Sequence, residues 1–247
     1  MDRSLFVDVH SHVVPSGDDG AAGVGEGEVL CRDAARHGTG VLFATPHVWP
    51  HLPLTVERER DVRMRFAELA PRAGLELRLG FELTPAPPLL EEDPRRYELD
   101  GTGAVLMEVP FSGSADPLVQ LAEHAEAAGL LPVIAHPERA EAVLERPALA
   151  FALAERGWLL QVNASSLLGR HGPATHTVAW LLVEGGHAAL VGSDGHRQTR
   201  PARLDAAFEE ACARIGAEAA EPIFCGAALG FASSSRLPAS RAASPGA

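Results

Sequence analysis

The chain has 247 residues, 46% of them hydrophobic and 22% charged, with a formal net charge of -12. Those proportions suit a globular domain with a sizeable core, and so acidic a balance without a long basic cluster argues against a nucleic-acid or anionic-membrane partner. Cys31, Cys212 and Cys225 are widely spaced and form no C-x-x-C pair, which excludes a thiolate zinc site and a disulfide framework and favours a reducing, cytoplasmic setting.

The first apolar run, LFVDVH at 5–10, reads as a strand ending in histidine. No window is long and apolar enough to predict a signal peptide or membrane insertion. A helical period over 26–37 stops at Gly38, and GVLFATPH (40–47) follows as the second strand. The helix expected over 57–73 stops at Gly74 before LELRLGFE (75–82), after which TPAPPLLEEDPRR (84–96) promises irregular backbone. GAVLMEVP (103–110) precedes a helix over 116–128, and LPVIAHPER (131–139) a helix over 147–156. WLLQVNAS (158–165), a helix over 174–185, AALVGSDGH (188–196) and a last helix over 201–216 complete the pattern. The glycines Gly129, Gly157 and Gly185 act as helix stops.

These runs are continuously apolar rather than alternating, as in strands covered on both faces. Strand-helix alternation at this length predicts one α/β domain over residues 1–231, a distorted (β/α)7 TIM-like barrel. Residues 232–247, rich in Ser, Pro and Ala without an apolar period, read as a disordered tail.

The strand ends carry the chemistry. His10 and His12 close the first run, His47 the second, Glu82 the third, Glu108 the fourth and His136 the fifth, with Asp194 and His196 at the seventh and Asp19 in the first loop. In a parallel barrel the C-terminal strand ends meet at one mouth, so residues scattered along the chain face each other. His10 and His12, two apart, share one side of an extended strand. Five imidazoles and four carboxylates exceed one tetrahedral ion and suit two or three divalent ions; this donor set accepts Mn, Fe or Zn. Three such ions against four carboxylates leave about two positive charges, enough to draw in an anion. Arg139 and Arg200 follow two of these ends and are candidates to fork phosphate oxygens. Trp49 and His51 are candidates for the rim, whereas His37, His124, His171, His176 and His187 default to solvated or structural roles.

At DVHSHVVPSGDDG, ATPH, GFELT, LMEVP, PVIAHPER, LQVNASSLLG and VGSDGHRQTRP the chain resembles the polymerase-and-histidinol-phosphatase (PHP) superfamily. More closely, it is similar to the metal-dependent protein-tyrosine phosphatases encoded with bacterial capsule and exopolysaccharide genes. The resemblance runs from about residue 6 to 216. It implies the PHP fold and a trinuclear centre, usually described with manganese, held by His10, His12, Asp19, His47, Glu82, Glu108, His136, Asp194 and His196. It also implies Arg139 and Arg200 on the substrate, and as substrate the phosphotyrosine tail of a bacterial tyrosine autokinase. Asp194 or a rim histidine is then a candidate proton donor, and a homo-oligomer stays open. A small-molecule phosphatase acting on a histidinol-phosphate-like ester, or another metal-dependent hydrolase, is the alternative within this fold. A cysteine-based mechanism is excluded, since the arginine it needs six positions after the thiolate is His37, Glu218 or Phe231 here.

Overall fold

The computed structural model describes residues 6–197 and 200–231; the expected tail at 232–247 lies outside them. The seven expected runs become nine strands in two parallel sheets. One sheet is ordered β1 (Phe6–Ser11), β2 (Thr39–Ala44), β4 (Glu76–Leu79). The other runs β3 (His47–Val48), β5 (Glu82–Leu83), β6 (Ala104–Glu108), β7 (Leu131–Ala135), β8 (Leu159–Asn163), β9 (Ala188–Gly192).

The second and third runs each divide in two, which corrects the reading of 40–47 and 75–82 as unbroken strands. Pro46 has no N–H to give the ladder, so β2 ends before it and β3 resumes after it. In the neighbouring run the chain crosses Leu99 at Gly80, where a Cβ would lie 2.5 Å from the leucine side chain. Only glycine fits that crossing. Backbone bonds still span the break, from Gly80 N–H to the Ala44 carbonyl (2.9 Å) and from Glu82 N–H to that of Pro46 (3.1 Å).

The strands of the fifth, sixth and seventh runs also end earlier than their apolar patterns predict. β7 stops at Ala135, and Pro137–Arg139 is a 3₁₀ turn. The polar residues that follow these strands therefore sit on loops, held by turns rather than by ladder bonds.

Helices α1 (Val24–Arg36), α2 (Val56–Leu69), α3 (Asp116–Ala127), α5 (Ala148–Glu155), α7 (Pro173–Glu184) and α8 (Asp205–Ile215) fall where the periodicity places them. Short helices α4 (Glu141–Glu145), α6 (Ala164–Leu167) and α9 (Ala217–Phe224) are additions. α9 was not expected, because Pro222 sits inside it. Its Phe224, with Phe208 of α8, packs against Phe6 of β1.

A smaller apolar cluster joins Val7, Val9 and Phe43 of one sheet to Leu106, Val133, Ala135 and Leu190 of the other. The two sheets thus share an interior, and the polar strand ends lie beyond it. β6 shows the transition on one strand: Ala104 and Leu106 are in that cluster, and Glu108, next in the period of two, is at the site. β1 and the end of β9 are linked by His12 N–H to the Gly195 carbonyl (2.7 Å) and Asp194 N–H to that of His10 (2.9 Å). No helix among the described residues is long and apolar enough to cross a membrane.

Candidate metal centre

Glu82, at the start of β5, is the hub. Its carboxylate is fully buried, with Oε2 lying 3.1 Å from His10 Nε2, 3.2 Å from His12 Nε2 and 3.0 Å from His47 Nδ1, and Oε1 2.9 Å from His136 Nε2. Asp194 adds Oδ1 at 3.6 Å from His10 Nε2, 3.4 Å from His12 Nε2 and 3.3 Å from His196 Nδ1. Asp19 closes the outer side, 3.1 Å from His196 Nε2 and 3.6 Å from His47 Nε2, with its carboxylate 59% exposed. All nine residues singled out as metal donors therefore gather in one place. Glu108 is the outermost of the buried carboxylates in contact terms: one oxygen takes the Thr84 hydroxyl and the other has no partner.

The contacts are those of donor atoms converging on common points rather than pairing with one another. His10 Nε2 and His12 Nε2 point at each other across 3.1 Å. His12 Nδ1, His47 Nδ1, Glu82 Oε2 and Glu108 Oε2 are buried without a hydrogen-bond partner among the described residues. Unpaired buried polar atoms are costly and rare, and lone pairs that converge without hydrogen-bond alignment fit a set of cations. Three groupings have donor atoms all within 4.8 Å of one another: His12, His47, His196; His10, Glu82, His136; and His10, His12, Asp194.

Electrostatics divide the carboxylates. Burial alone would raise Glu82 and Asp194, but attraction to the surrounding imidazoles when these carry protons in place of metal, His10 first, holds both well below the ordinary carboxylate range. Glu108 goes the other way, pushed up to about 8 by burial and then by the Glu82 charge. Two adjacent carboxylates that cannot both ionise freely favour positive charge between them.

Among the described residues, left-handed backbone at non-glycine positions occurs at this site alone. His136 (φ 34°) and Asp194 (φ 51°) are the non-glycine residues with positive φ among the described residues. Such conformations cost about 1–3 kcal/mol each and persist where neighbours fix them. Here the neighbours are Gln161, whose carbonyl takes His136 N–H at 2.7 Å, and His10, whose carbonyl takes Asp194 N–H.

The arginines lie at the rim. Arg139 Nη1 donates to Asp194 Oδ2 at 2.8 Å, and Arg200 Nη1 is 3.7 Å from the same oxygen. Both line a cavity of about 110 Å³ with Glu108, His136, Trp49 and Phe111. Trp49 stacks on His47 (4.3 Å) and His51 on Trp49 (5.1 Å), as expected of the rim. Phe111 lies parallel to His136 at 5.7 Å with the Arg139 guanidinium 5.0 Å from its ring.

Several supporting residues escaped the sequence reading. Asp18, not only Asp19, faces inward: Oδ2 accepts His47 N–H at 3.0 Å and lies 3.6 Å from His12 Nδ1, and Oδ1 accepts Gly20 N–H at 3.1 Å. Against the effect of burial, His12 holds this carboxyl below its ordinary range. A relay runs from His10 Nδ1 to Gln161 Oε1 (2.8 Å), Gln161 Nε2 to Asn163 Oδ1 (2.9 Å) and Asn163 Nδ2 to Asp194 Oδ2 (2.9 Å). It fixes the His10 tautomer and so leaves Nε2 as the inward lone pair. His171, assigned no site role, pairs with Ser165 Oγ at 2.8 Å and is pushed down to about 4 by burial and then by Arg139.

Asp18 yields a prediction. Asp18→Asn keeps size but loses charge behind His12, so affinity for a divalent metal ion falls about 10–100-fold, read from a metal-binding titration with circular dichroism to confirm folding. An unchanged titration would show that Asp18 serves only the loop.

The chain is similar to known proteins along most of its length. The family model for capsular polysaccharide synthesis, CpsB/CapC, matches residues 6–230. The tyrosine-protein phosphatase YwqE of Bacillus subtilis is 31% identical over 203 residues, covering 77% of each chain. The putative tyrosine-protein phosphatase CapC of Staphylococcus aureus is 29% identical over 215 residues, covering 83% of each. Among solved structures, one from the work on YwqE of B. subtilis and CpsB of Streptococcus pneumoniae, described as metal-dependent tyrosine phosphatases, superposes with a TM-score of 0.75 at 28% identity, covering 87% of this chain and 89% of the other. The lactonase Lmo2620 of Listeria monocytogenes, at TM-score 0.57 and 14% identity over 92% of this chain and 94% of its own, shares the fold alone. On the match across residues 6–230 and the YwqE identity, the chain belongs to the CpsB/CapC family.

Proposed function

We propose that this chain is a metal-dependent protein-tyrosine phosphatase acting on the phosphotyrosine tail of a bacterial tyrosine kinase that governs capsule or exopolysaccharide export. The observation that carries the reading is one cavity lined by six metal-type donors, two arginines and two aromatic faces, with His10, His12 and Glu82 buried in contact with those donors. The relatives named as tyrosine phosphatases support the substrate class. In this reading the two sheets form one distorted seven-stranded barrel, with β2–β3 and β4–β5 each counting as one broken strand. Residues 1–231 are the domain, 232–247 an appended tail, and the setting is cytoplasmic.

The ligands are His10, His12, Asp19, His47, Glu82, Glu108, His136, Asp194 and His196, holding two or three divalent ions, manganese first and iron or zinc as alternatives. Bound there, such ions supply a water-derived nucleophile near neutral pH and neutralise phosphate oxygens. The chain's own groups do the rest. Arg139 and Arg200 reach the equatorial oxygens and stabilise the charge that builds in the transition state. Phe111 and Trp49 offer flat faces to the phenyl ring. Asp194, surrounded by imidazoles and arginines, stays ionised and orients Arg139, so it does not deliver the proton. Tyrosine's hydroxyl, with a pKa near 10, leaves as the phenolate.

The test compares a phosphotyrosyl peptide, histidinol phosphate and, for another metal-dependent hydrolase, a small cyclic amide, each with manganese and after chelation. Chelator-sensitive release of phosphate from the peptide, with kcat/KM at least tenfold above that for histidinol phosphate, is expected. Preference for histidinol phosphate or the amide would transfer the chain to the small-molecule hydrolases. Metal also stabilises the fold: manganese at about 100 times its Kd adds about 2.7 kcal/mol, which raises Tm by about 5–10 °C for a domain this size. A melting curve indifferent to manganese and chelator would contradict the assigned ligands.

A further inference from the structure

Beside the metal cavity lies a second one, of about 140 Å³, that none of the assigned roles uses. Arg170, Arg200 and Arg203 line it, with Ser165 and Pro201, and Asp205 is the carboxylate among its lining residues. Three guanidiniums around one small hollow are unexpected on a chain whose net charge is -12, and like charges are gathered in this way where an anion is to be received. Arg170 reaches it from the turn after α6, its backbone N–H fixed to the Ser165 carbonyl at 2.9 Å. Its side chain makes no ion pair among the described residues. Arg203 is anchored on Asp33 through Nε (2.6 Å) and Nη2 (2.7 Å), which leaves Nη1 uncommitted. Arg200 borders both cavities.

We propose that this hollow is a second anion subsite, which holds an acidic side chain of the substrate peptide next to the phosphotyrosine. The inference rests on the phosphatase reading above and adds its sequence preference. Because Arg200 is shared, the two anions are separated by little more than one guanidinium. An extended peptide advances about 3.3–3.6 Å per residue, so the second anion belongs to a residue one or two positions from the phosphotyrosine. A carboxylate and a second phosphotyrosine offer the same chemistry to a guanidinium fork, and the substrates chosen for the test separate them.

The experiment measures kcat/KM of the manganese-loaded protein on four peptide series with Ala, Glu, phosphotyrosine or Lys at each of the two positions on either side of the phosphotyrosine. 4-Nitrophenyl phosphate reports the chemistry alone. At one position at least, Glu or phosphotyrosine is expected to exceed Ala by about tenfold, mainly through KM. Arg170→Glu and Arg203→Gln reduce that preference to under about twofold while leaving 4-nitrophenyl phosphate hydrolysis unchanged, and Arg170→Glu makes Lys the better neighbour. Reversal by charge exchange is not a result that a structural role for Arg170 gives. Arg203→Gln loosens the Asp33 contact and could disturb folding, so Arg170→Glu decides if that variant melts early. Affinity for a peptide carrying phosphonomethyl-phenylalanine, followed by fluorescence anisotropy, repeats the comparison without turnover.

Hydrolysis of every peptide at one rate, whatever its neighbours, overturns the subsite and leaves the phosphatase reading standing. Absence of any phosphotyrosine hydrolysis removes both. Competitive relief of the preference by inorganic phosphate at millimolar concentration, with no effect of Arg170→Glu, would reassign the hollow to a free anion and also overturn the proposal.

Discussion

Glu82→Gln lowers metal-dependent phosphotyrosine hydrolysis by about 10³-fold or more and leaves the purified protein short of metal. The reason is geometric. One carboxylate stands within 3.2 Å of nitrogens from His10, His12, His47 and His136, imidazoles brought from β1, β3 and the end of β7. An amide of the same shape supplies one oxygen, no charge and an N–H₂ group, which can face a lone pair only by displacing a cation. Removing one partner of a buried charged network leaves the others uncompensated, and that cost far exceeds the loss of a surface contact. Metal content by atomic absorption, kcat/KM on a phosphotyrosyl peptide and a melting curve are measured together. Glu82→Asp, which keeps the charge but withdraws the oxygens by one methylene, is expected to fall between parent and Glu82→Gln. A Glu82→Gln protein with full metal and more than a tenth of the parent's activity would remove Glu82 from the centre.

What the sequence made legible was the set of strand ends. Parallel strands deliver their C-terminal residues to one side, so the order of apolar runs alone puts His10, His47, Glu82, Glu108 and His136 together. Less visible was the support behind them. In the pair Asp18-Asp19 the residue type is the same at both positions, and the turn alone decides that the Asp18 side chain is buried behind His12 while Asp19 meets His47 and His196 from the exposed side; Gly20, where a Cβ would lie 2.4 Å from the His12 carbonyl, sets that turn. Gln161 and Asn163 did leave a signal, two polar residues with a spacing of two on a strand otherwise apolar, as did Asp8 and His10 on β1 with His12 just past its end. Asp8 is buried, takes Ser193 N–H at 2.9 Å and is pushed up to about 6 by burial. It joins β9 to β1 where the ladder alone gives a single bridge between Ser11 and Gly195. The division of two strands was written in Pro46 and Gly80, but apolar continuity outweighed both. The left-handed turns at His136 and Asp194 had no counterpart in residue type, because they are imposed by the carbonyls they meet and not by glycine.

Arg139→Lys lowers kcat/KM on the phosphotyrosyl peptide by about 10²–10³-fold with metal content unchanged. Arg139 sits at the end of the Pro137–Arg139 turn, its backbone N–H on the His136 carbonyl at 2.9 Å, its guanidinium spread between Asp194 and the face of Phe111. That placement uses a planar fork: Nη1 is held by the carboxylate, the guanidinium lies by the ring, and Arg139 lines the cavity with its other guanidinium N–H groups not bonded to any described residue. An ammonium can serve Asp194 or a phosphate oxygen from one point, but not both in a fixed geometry. Since its role belongs to the transition state, the loss falls on kcat more than on KM. Arg200→Lys costs less, about tenfold, because Arg200 stands farther from Asp194 and holds no aromatic face. Steady-state kinetics on both variants, with metal analysis alongside, separate a lost phosphate contact from a collapsed centre. An Arg139→Lys enzyme within threefold of the parent would return Arg139 to the role of a salt bridge for Asp194.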